Sequence, residues 1–551
     1  MYINCVATLP IILKTQHHNY PSSSLRNKPK NKFKTIIPQQ QKNIQTTKKS
    51  TDHWIITLVI IAATALYLYI EDFGKKNLPP RFNYLVPLIK GDLEMEKEGP
   101  SKFILTGYEQ TGRTGVFRIK IFNQGITIFV GPAGNKFFYN TSDKILTARE
   151  VYGFTVPVFG RNVVYDAPLS LMNRQLSMLR HALNGKNMQG YVDKVLMECD
   201  LFFKDYPESG QIHFHHEFSK LIINTASRCL MGEEVRNNMK DTVAGLYEHL
   251  NDGMTRLSIL FPYAPHPKHT ARDNARQEMV KLFTPIIDSR RERRDKGEEV
   301  PQDFLQELID CRYEGRRELT ADEIVGLLIT CLFAGQHTSN ITSAWLGVAI
   351  AANKEQILPK LLQEQQEVLG ADFKDGDYLN YDALQQMPLL HASMKECLRM
   401  WPPIVAMART TQEDQIFEGF TVPKGDIVLS APAVSHLLDE SFPEPKKWDP
   451  ERFLPPRSEG EDILDEKQWK FIAFGEGKHQ CIGRDFAFLQ VKTIFSYLFR
   501  HFDFELVVPQ KTSEMKLNYD TLVAGPGCDC NVKFVRKNLL AEYAAKKAAA
   551  Q

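Results

Sequence analysis

The balance of apolar and polar positions changes character several times along the 551 residues. Residues 1–53 show no apolar period and are rich in Lys, Asn, Gln, Ser and Thr, so they read as a disordered leader. From Trp54 to Ile70 the chain runs for 17 residues without a charge, WIITLVIIAATALYLYI. At ~1.5 Å per residue such a helix nearly crosses a hydrocarbon layer of about 30 Å. Trp54, Tyr67 and Tyr69 stand near its ends, as interfacial aromatics do. A transmembrane anchor is therefore expected, too far from Met1 for a cleaved signal peptide. Residues 71–99, with Pro79 and Pro80, read as a stiff linker. Alternation in GVFRIKIF (115–122) and ITIFV (126–130) predicts short strands. From about 165 to 405 the period is mainly helical, and 406–450 is irregular with strand pieces such as IVLSAP. A last long helix follows Cys481. The patterns interleave without an internal repeat. They predict one large domain, mainly α with a small β region, over 100–540 and a tail at 541–551.

One helix stands out. Thr320 and Glu323 have the spacing of a capping box, and no charged residue follows until Lys354. A polar island, Gln336-His337-Thr338-Ser339-Asn340, interrupts the apolar run just after Ala334-Gly335. Those groups would be costly against lipid, so a buried helix crossing a polar site is expected rather than a second membrane span. Gly335 would let a ligand approach the backbone, and His337 and Thr338 are candidates for moving protons.

Composition adds limits. The chain is 43% hydrophobic and 24% charged, which suits a large globular core. The net charge of +2 conceals a leader with nine Lys/Arg and one acid, Asp52, ahead of a mildly acidic remainder. That distribution gives no nucleic-acid surface. Nine cysteines are scattered without a CxxC pair, which argues for reduced thiols over a zinc site or disulfide framework.

Cys481 is the exception. It lies in FGEGKHQCIG, residues 474–483, where Gly475 and Gly477 permit a tight loop. The helix that follows presents free N–H groups and a positive dipole end, which favour a thiolate. A thiolate is the axial ligand that pushes electron density toward haem iron. Two further elements read as scaffold. Glu396 and Arg399 share one helical face, and Arg452 in WDPERF is placed to join them in a buried triad.

Taken together, the Cys loop, Glu396-x-x-Arg399, Pro-Glu-Arg452-Phe and Ala334-Gly-x-x-Thr338 resemble the cytochrome P-450 superfamily, in its order, from about Pro79 onward. The resemblance implies that triangular fold, haem b, O2, and electrons from NADPH through a cytochrome reductase. A narrower likeness follows from AGQHTSNITSAW, VYGFTVPVFGRNVVYDAP (151–168) and LYEHLNDGM (246–254), which resemble the sterol 14α-demethylases. That family implies three oxidations of the 14α-methyl group, to alcohol, to aldehyde and out as formate, leaving a 14,15 double bond. It implies Cys481 on the iron in the Phe474-Gly475 loop, with Tyr152, Tyr165, Arg409 and His479 around the propionates. Tyr152, Phe154, Phe159, Phe333, Ala334, Thr338, Met407 and Leu522 match substrate positions. His337 and Thr338 would deliver protons, with Asp252 as the partner of His337. The short Tyr152-x-Phe154 spacing implies a C4-monomethyl sterol such as obtusifoliol. The resemblance further implies a monomer on the endoplasmic reticulum membrane with its domain in the cytosol, and azole inhibitors that ligate the iron. The basic leader opposes that orientation, and Gln480 stands where many members carry a base. The alternatives are a P-450 hydroxylase of another lipid, which the AGQHTS and VPVFG segments disfavour, and a non-catalytic haem carrier.

Overall fold

A computed structural model describes residues 77–82, 93–121, 124–183, 185–238, 240–313, 317–370, 379–459, 469–519 and 523–537. The expected leader and the anchor at 54–70 lie outside these residues, as does Leu522. The helices that build the site are α1 (Pro132–Asn140), α2 (Gly185–Phe203), α3 (Phe214–Leu230), α4 (Lys240–Asp252), α5 (Pro267–Asp295), α6 (Ala321–Ala352), α7 (Pro388–Met400) and α8 (Arg484–His501).

The largest sheet has the order β1 (Val116–Ile121), β2 (Gln124–Phe129), β8 (Ile427–Ser430), β5 (Met407–Thr411), β3 (Leu146–Thr147). The two alternating runs form β1 and β2, which pair as an antiparallel hairpin, and β2 then runs parallel to β8. A second sheet joins β4 (Ser209–His213), β12 (Asn531–Arg536) and β9 (Phe502–Leu506). Two ribbons, β6 (Gln415–Phe417) with β7 (Phe420–Val422) and β10 (Leu517–Asn518) with β11 (Gly525–Pro526), complete the strands. β4 departs from the helical reading of 165–405. Only five residues long, it is held by pairing with β12, more than 300 positions away, which local pattern does not report.

Helix α6 is the spine of the core. Its start is fixed by the predicted box: Glu323 N–H donates to Thr320 Oγ1 at 3.1 Å, and Thr320 N–H donates to Glu323 Oε2 at 2.8 Å. Each bond satisfies a donor that a helix terminus otherwise orphans. The helix is long and apolar enough to span a membrane, but 67% of its most apolar window is buried inside the protein, chiefly along α3. Gly326 is needed there, since a Cβ would sit 2.2 Å from the Phe159 carbonyl oxygen. Farther along, Trp345 stacks on Trp401 with ring centroids 4.3 Å apart. Truncating such a buried ring costs about 3–5 kcal/mol.

Candidate active site

Below α6 lies the cysteine loop. Gly475 and Gly477 adopt φ of 67° and 61°, a region that side chains disfavour. A Cβ on Gly475 would meet the His479 carbonyl oxygen at 2.9 Å and the Tyr139 ring at 3.2 Å. The turn closes when Cys481 N–H donates to the Phe474 carbonyl at 2.7 Å, while the Phe474 ring packs 5.3 Å from Phe488 of α8. α8 begins at Arg484, so Cys481 precedes the helix rather than opening it. Solvent reaches Cys481, yet surrounding protein atoms push its thiol above the ordinary value. The Gly483 and Arg484 amides and the Arg484 charge oppose that rise. In the protein alone burial outweighs them, opposite to the direction that the dipole argument expects.

A buried network supports the loop. Arg399 donates from Nε to Glu396 Oε2 at 2.7 Å and from Nη2 to Oε1 at 2.9 Å. Arg452 Nε reaches Glu396 Oε1 at 3.0 Å, and the Asp449 N–H reaches the same oxygen at 2.9 Å. All three charged side chains are fully buried. From Arg399 a chain of bonds leads to the loop: its Nη1 holds the His436 carbonyl at 3.0 Å, and His436 Nε2 accepts from Ile472 N–H at 2.9 Å. The Ile472 carbonyl then accepts from Gly475 N–H at 2.9 Å. Burial, then the Arg399 charge, pushes His436 down to about 3, so its ring stays neutral and free to accept. Sequence reasoning missed His436, because nothing local marks it as buried.

Opposite the loop runs the polar island of α6. Between Glu323 and Ala352 only Ala334 is exposed, and a Cβ on Gly335 would meet nothing within 4 Å. This face of an otherwise buried helix borders a cleft. Cys481 lies within electrostatic reach of Cys331 on the same helix and of Tyr165. Thr338 Oγ1 donates to the Ala334 carbonyl at 2.6 Å, which leaves its lone pairs to accept. His337 Nε2 is buried with no hydrogen-bond partner among the described residues, as are Gln336 Oε1, Ser339 Oγ and Asn340 Oδ1. Burial, with repulsion from His215 added, holds His337 below the ordinary histidine value. Its neighbours are aromatic. Phe159 meets Phe333 edge-on at 6.0 Å, and Phe333 lies 6.2 Å from His337.

The edge of the cleft is cationic and phenolic. Tyr152 and Tyr165 stack at 4.7 Å, with Phe154 at 6.4 Å from Tyr152. The Tyr152 hydroxyl accepts from Ala408 N–H at 3.3 Å and contacts Met407 Sδ at 4.0 Å. Arg409 is buried, donating from Nη1 to the Phe138 carbonyl at 2.7 Å with its guanidinium 4.4 Å from the Phe138 ring centre. Among the described residues no carboxylate lies within ion-pair distance of Arg409, and burial lowers its pKa. A buried guanidinium without a counter-ion suits an anionic group from outside the chain. His479, by contrast, is taken: its Nε2 lies 2.8 Å from Asp143 Oδ1, and Lys478 shares that carboxylate at 3.3 Å. Burial raises the Asp143 carboxyl, but His479 and Lys478 outweigh it and hold the group below its usual range. Neither Asp143 nor the nearby Tyr139 carried a sequence signal.

One expectation is corrected. Asp252 does not pair with His337. Its side chain is 56% exposed and lies 3.2 Å from Lys268 Nζ at the end of α4. The same helix brings Tyr247 to the site instead, with its ring 4.8 Å from Phe333 and 6.3 Å from His337. Helical geometry explains the exchange. Tyr247 and Asp252 are five residues apart and cannot share a face.

Comparison with known proteins places this arrangement. The family model described as cytochrome P-450 matches residues 80–526. A sterol 14-demethylase of Arabidopsis thaliana is 37% identical over 88% of this chain and 97% of its own length. An obtusifoliol 14-alpha demethylase of Sorghum bicolor is 34% identical over 92% and 99%, and a lanosterol 14-alpha demethylase of Rattus norvegicus 35% over 82% and 86%. Among solved structures, a retinoic-acid-bound cyanobacterial CYP120A1 shares the fold, with a TM-score of 0.68 and 21% identity over 84% of this chain and 99% of its own.

Proposed function

Since the chain belongs to the cytochrome P-450 family, we propose that it is a sterol 14α-demethylase. What carries this reading is near-full-length kinship with demethylases from both plants and mammals. The site's chemistry agrees. The glycine-built Cys481 loop, a buried Arg409 without a counter-ion and the opening at Ala334–Gly335 fit a planar, anionic, metal-bearing cofactor. Haem bound there supplies dioxygen activation with electrons passed from NADPH through a reductase.

The chain's own residues divide the remaining work. Cys481 would ligate the haem iron, its loop held by the Phe474 carbonyl and the glycines. Arg409, with Tyr152 and Tyr165 beside it, would hold the propionates, while His479 would take part only on leaving Asp143. Phe154, Phe159, Phe333, Ala334 and Met407 form the wall against which an apolar sterol packs and from which water is excluded. Thr338 accepts a hydrogen bond at the open face, and His337, kept neutral by burial, takes up and releases protons. These roles serve three successive oxidations of the same methyl group, ending in formate. Phe154 narrows the pocket and favours a C4-monomethyl sterol.

The same reading places the enzyme on the endoplasmic reticulum membrane through residues 54–70, as a monomer open to iron-binding azoles. Leu257, Leu260, Phe261 and Tyr263 support the membrane, since they present exposed apolar side chains within one short stretch. The deciding experiment supplies purified enzyme and reductase with obtusifoliol and lanosterol in parallel and measures demethylated sterol and formate. Turnover of neither would end the demethylase reading. Equal or faster use of lanosterol would end the preference.

A further inference from the structure

His337 Nε2 is buried and lacks a protein partner among the described residues, and the expected Asp252 faces solvent. A buried ring nitrogen that must exchange protons needs a route to water. Three observations mark one. First, the Tyr247 hydroxyl, on the ring beside His337, is buried with no partner among the described residues. Second, Tyr247 lines a cavity between α3, α4 and α6, with Leu332 contributed by α6. Third, the cavity wall carries Arg236, 7% exposed, whose Nε is also buried without a partner. Arg236 is anchored elsewhere, through Nη2 to Glu198 at 2.6 Å, so its orphaned N–H is fixed in place. Half-buried Asn224 and Ser227 complete the polar lining toward the surface. Orphaned donors on residues that line an internal space with polar neighbours are a setting in which ordered water is found.

We propose that this cavity is a water-filled proton entry, and that the Tyr247 hydroxyl is the positioning group through which His337 is resupplied with protons. The inference rests on the monooxygenase reading and names how its distal histidine is recharged. Asn224 and Ser227 admit water, and Arg236 Nε donates to it and fixes its orientation. Tyr247 joins that water to His337. Only O–H and N–H bonds are made and broken along the path, and no electron moves through it. Leu332, Met231, Val235 and Val243 keep the remaining wall apolar, and the space is of the size that about one ordered water needs.

The test compares haem-loaded wild type with Tyr247→Phe, which removes one oxygen and keeps the ring against Phe333. The expected result is a kcat lowered roughly tenfold, a changed solvent deuterium isotope effect, and more hydrogen peroxide released per NADPH oxidised. The sterol KM and the thiolate carbon monoxide spectrum stay as in wild type. Ser227→Leu, at the mouth, reproduces the kcat and isotope effects without touching His337 or Tyr247. A high-resolution crystal structure of wild type shows water bonded to Tyr247 Oη and Arg236 Nε, lost or displaced in Tyr247→Phe. Wild-type kcat, isotope effect and peroxide yield in Tyr247→Phe overturn the proposal, as does a dry cavity in wild type. Failure of the demethylase reading would look different. Wild type itself would then process no 14α-methyl sterol, while the peroxide-to-NADPH ratio of the variant would still report on the path.

Discussion

The two walls of the cleft are built on opposite principles. On the cysteine side the buried charges are matched: Glu396 answers Arg399 and Arg452, and His436 passes their order to the loop. On the α6 side, Gln336, His337, Ser339 and Asn340 all carry buried polar atoms without partners among the described residues. An unpaired buried polar group costs about 1–3 kcal/mol, so four within five residues mark a place suited to water or a bound group. The difference separates scaffold from chemistry. The cysteine wall fixes one geometry, whereas the helix wall keeps hydrogen-bonding capacity unused, which the proposed function assigns to dioxygen, water and protons.

The comparison can be broken at either wall. The largest effect is expected at Cys481→Ala, which removes the proposed iron ligand. The reduced protein then gives no thiolate-type carbon monoxide spectrum and no turnover, while its circular dichroism stays helical. A retained thiolate spectrum would move the ligand to another cysteine. Next comes Glu396→Ala, which leaves two guanidinium groups buried without their carboxylate. Breaking such a network costs about 3–5 kcal/mol, seen as a lower Tm and a loss of bound haem. Unchanged Tm and haem content would show that the triad does not hold the loop. His337→Ala should do the reverse, sparing Tm and the carbon monoxide spectrum but lowering kcat about 100-fold, in the range of general acid–base groups. A fall in stability equal to that of Glu396→Ala would erase the contrast between the two walls.

Much of this division was legible in the sequence, because its signals were local. The capping box at Thr320, the glycines around Cys481 and the polar island after Gly335 each depend on residues within one or two turns. The Glu396–Arg399–Arg452 cluster needed more, since Arg452 arrives from a separate 3-10 turn, yet its Pro-Glu-Arg-Phe setting was distinctive. Whatever depended on long-range approach stayed hidden. β4 exists because β12 comes back to it, and His436 acts through an Ile472 that only the fold brings close. Asp143 captures His479 from across the cleft edge. The motifs predicted local backbone where they fixed it, and the Asp252 expectation failed where the side chain's direction depended on helix phase.

Asp252 is that error, and it gives the smallest predicted effect. Its carboxylate is more than half exposed and paired with Lys268, an arrangement worth ~0.2–1 kcal/mol in water. Asp252→Asn should therefore change kcat less than about twofold, well inside what losing a general acid–base partner would cause, and leave Tm within the same small allowance. A steady-state assay beside Tyr247→Phe makes the comparison internal to one helix, since α4 carries both residues. If Asp252→Asn lost turnover to the degree expected of His337→Ala, the carboxylate would have to swing inward during catalysis. α4 would then rotate between states, and the buried Tyr247 would have to leave Phe333 to allow it.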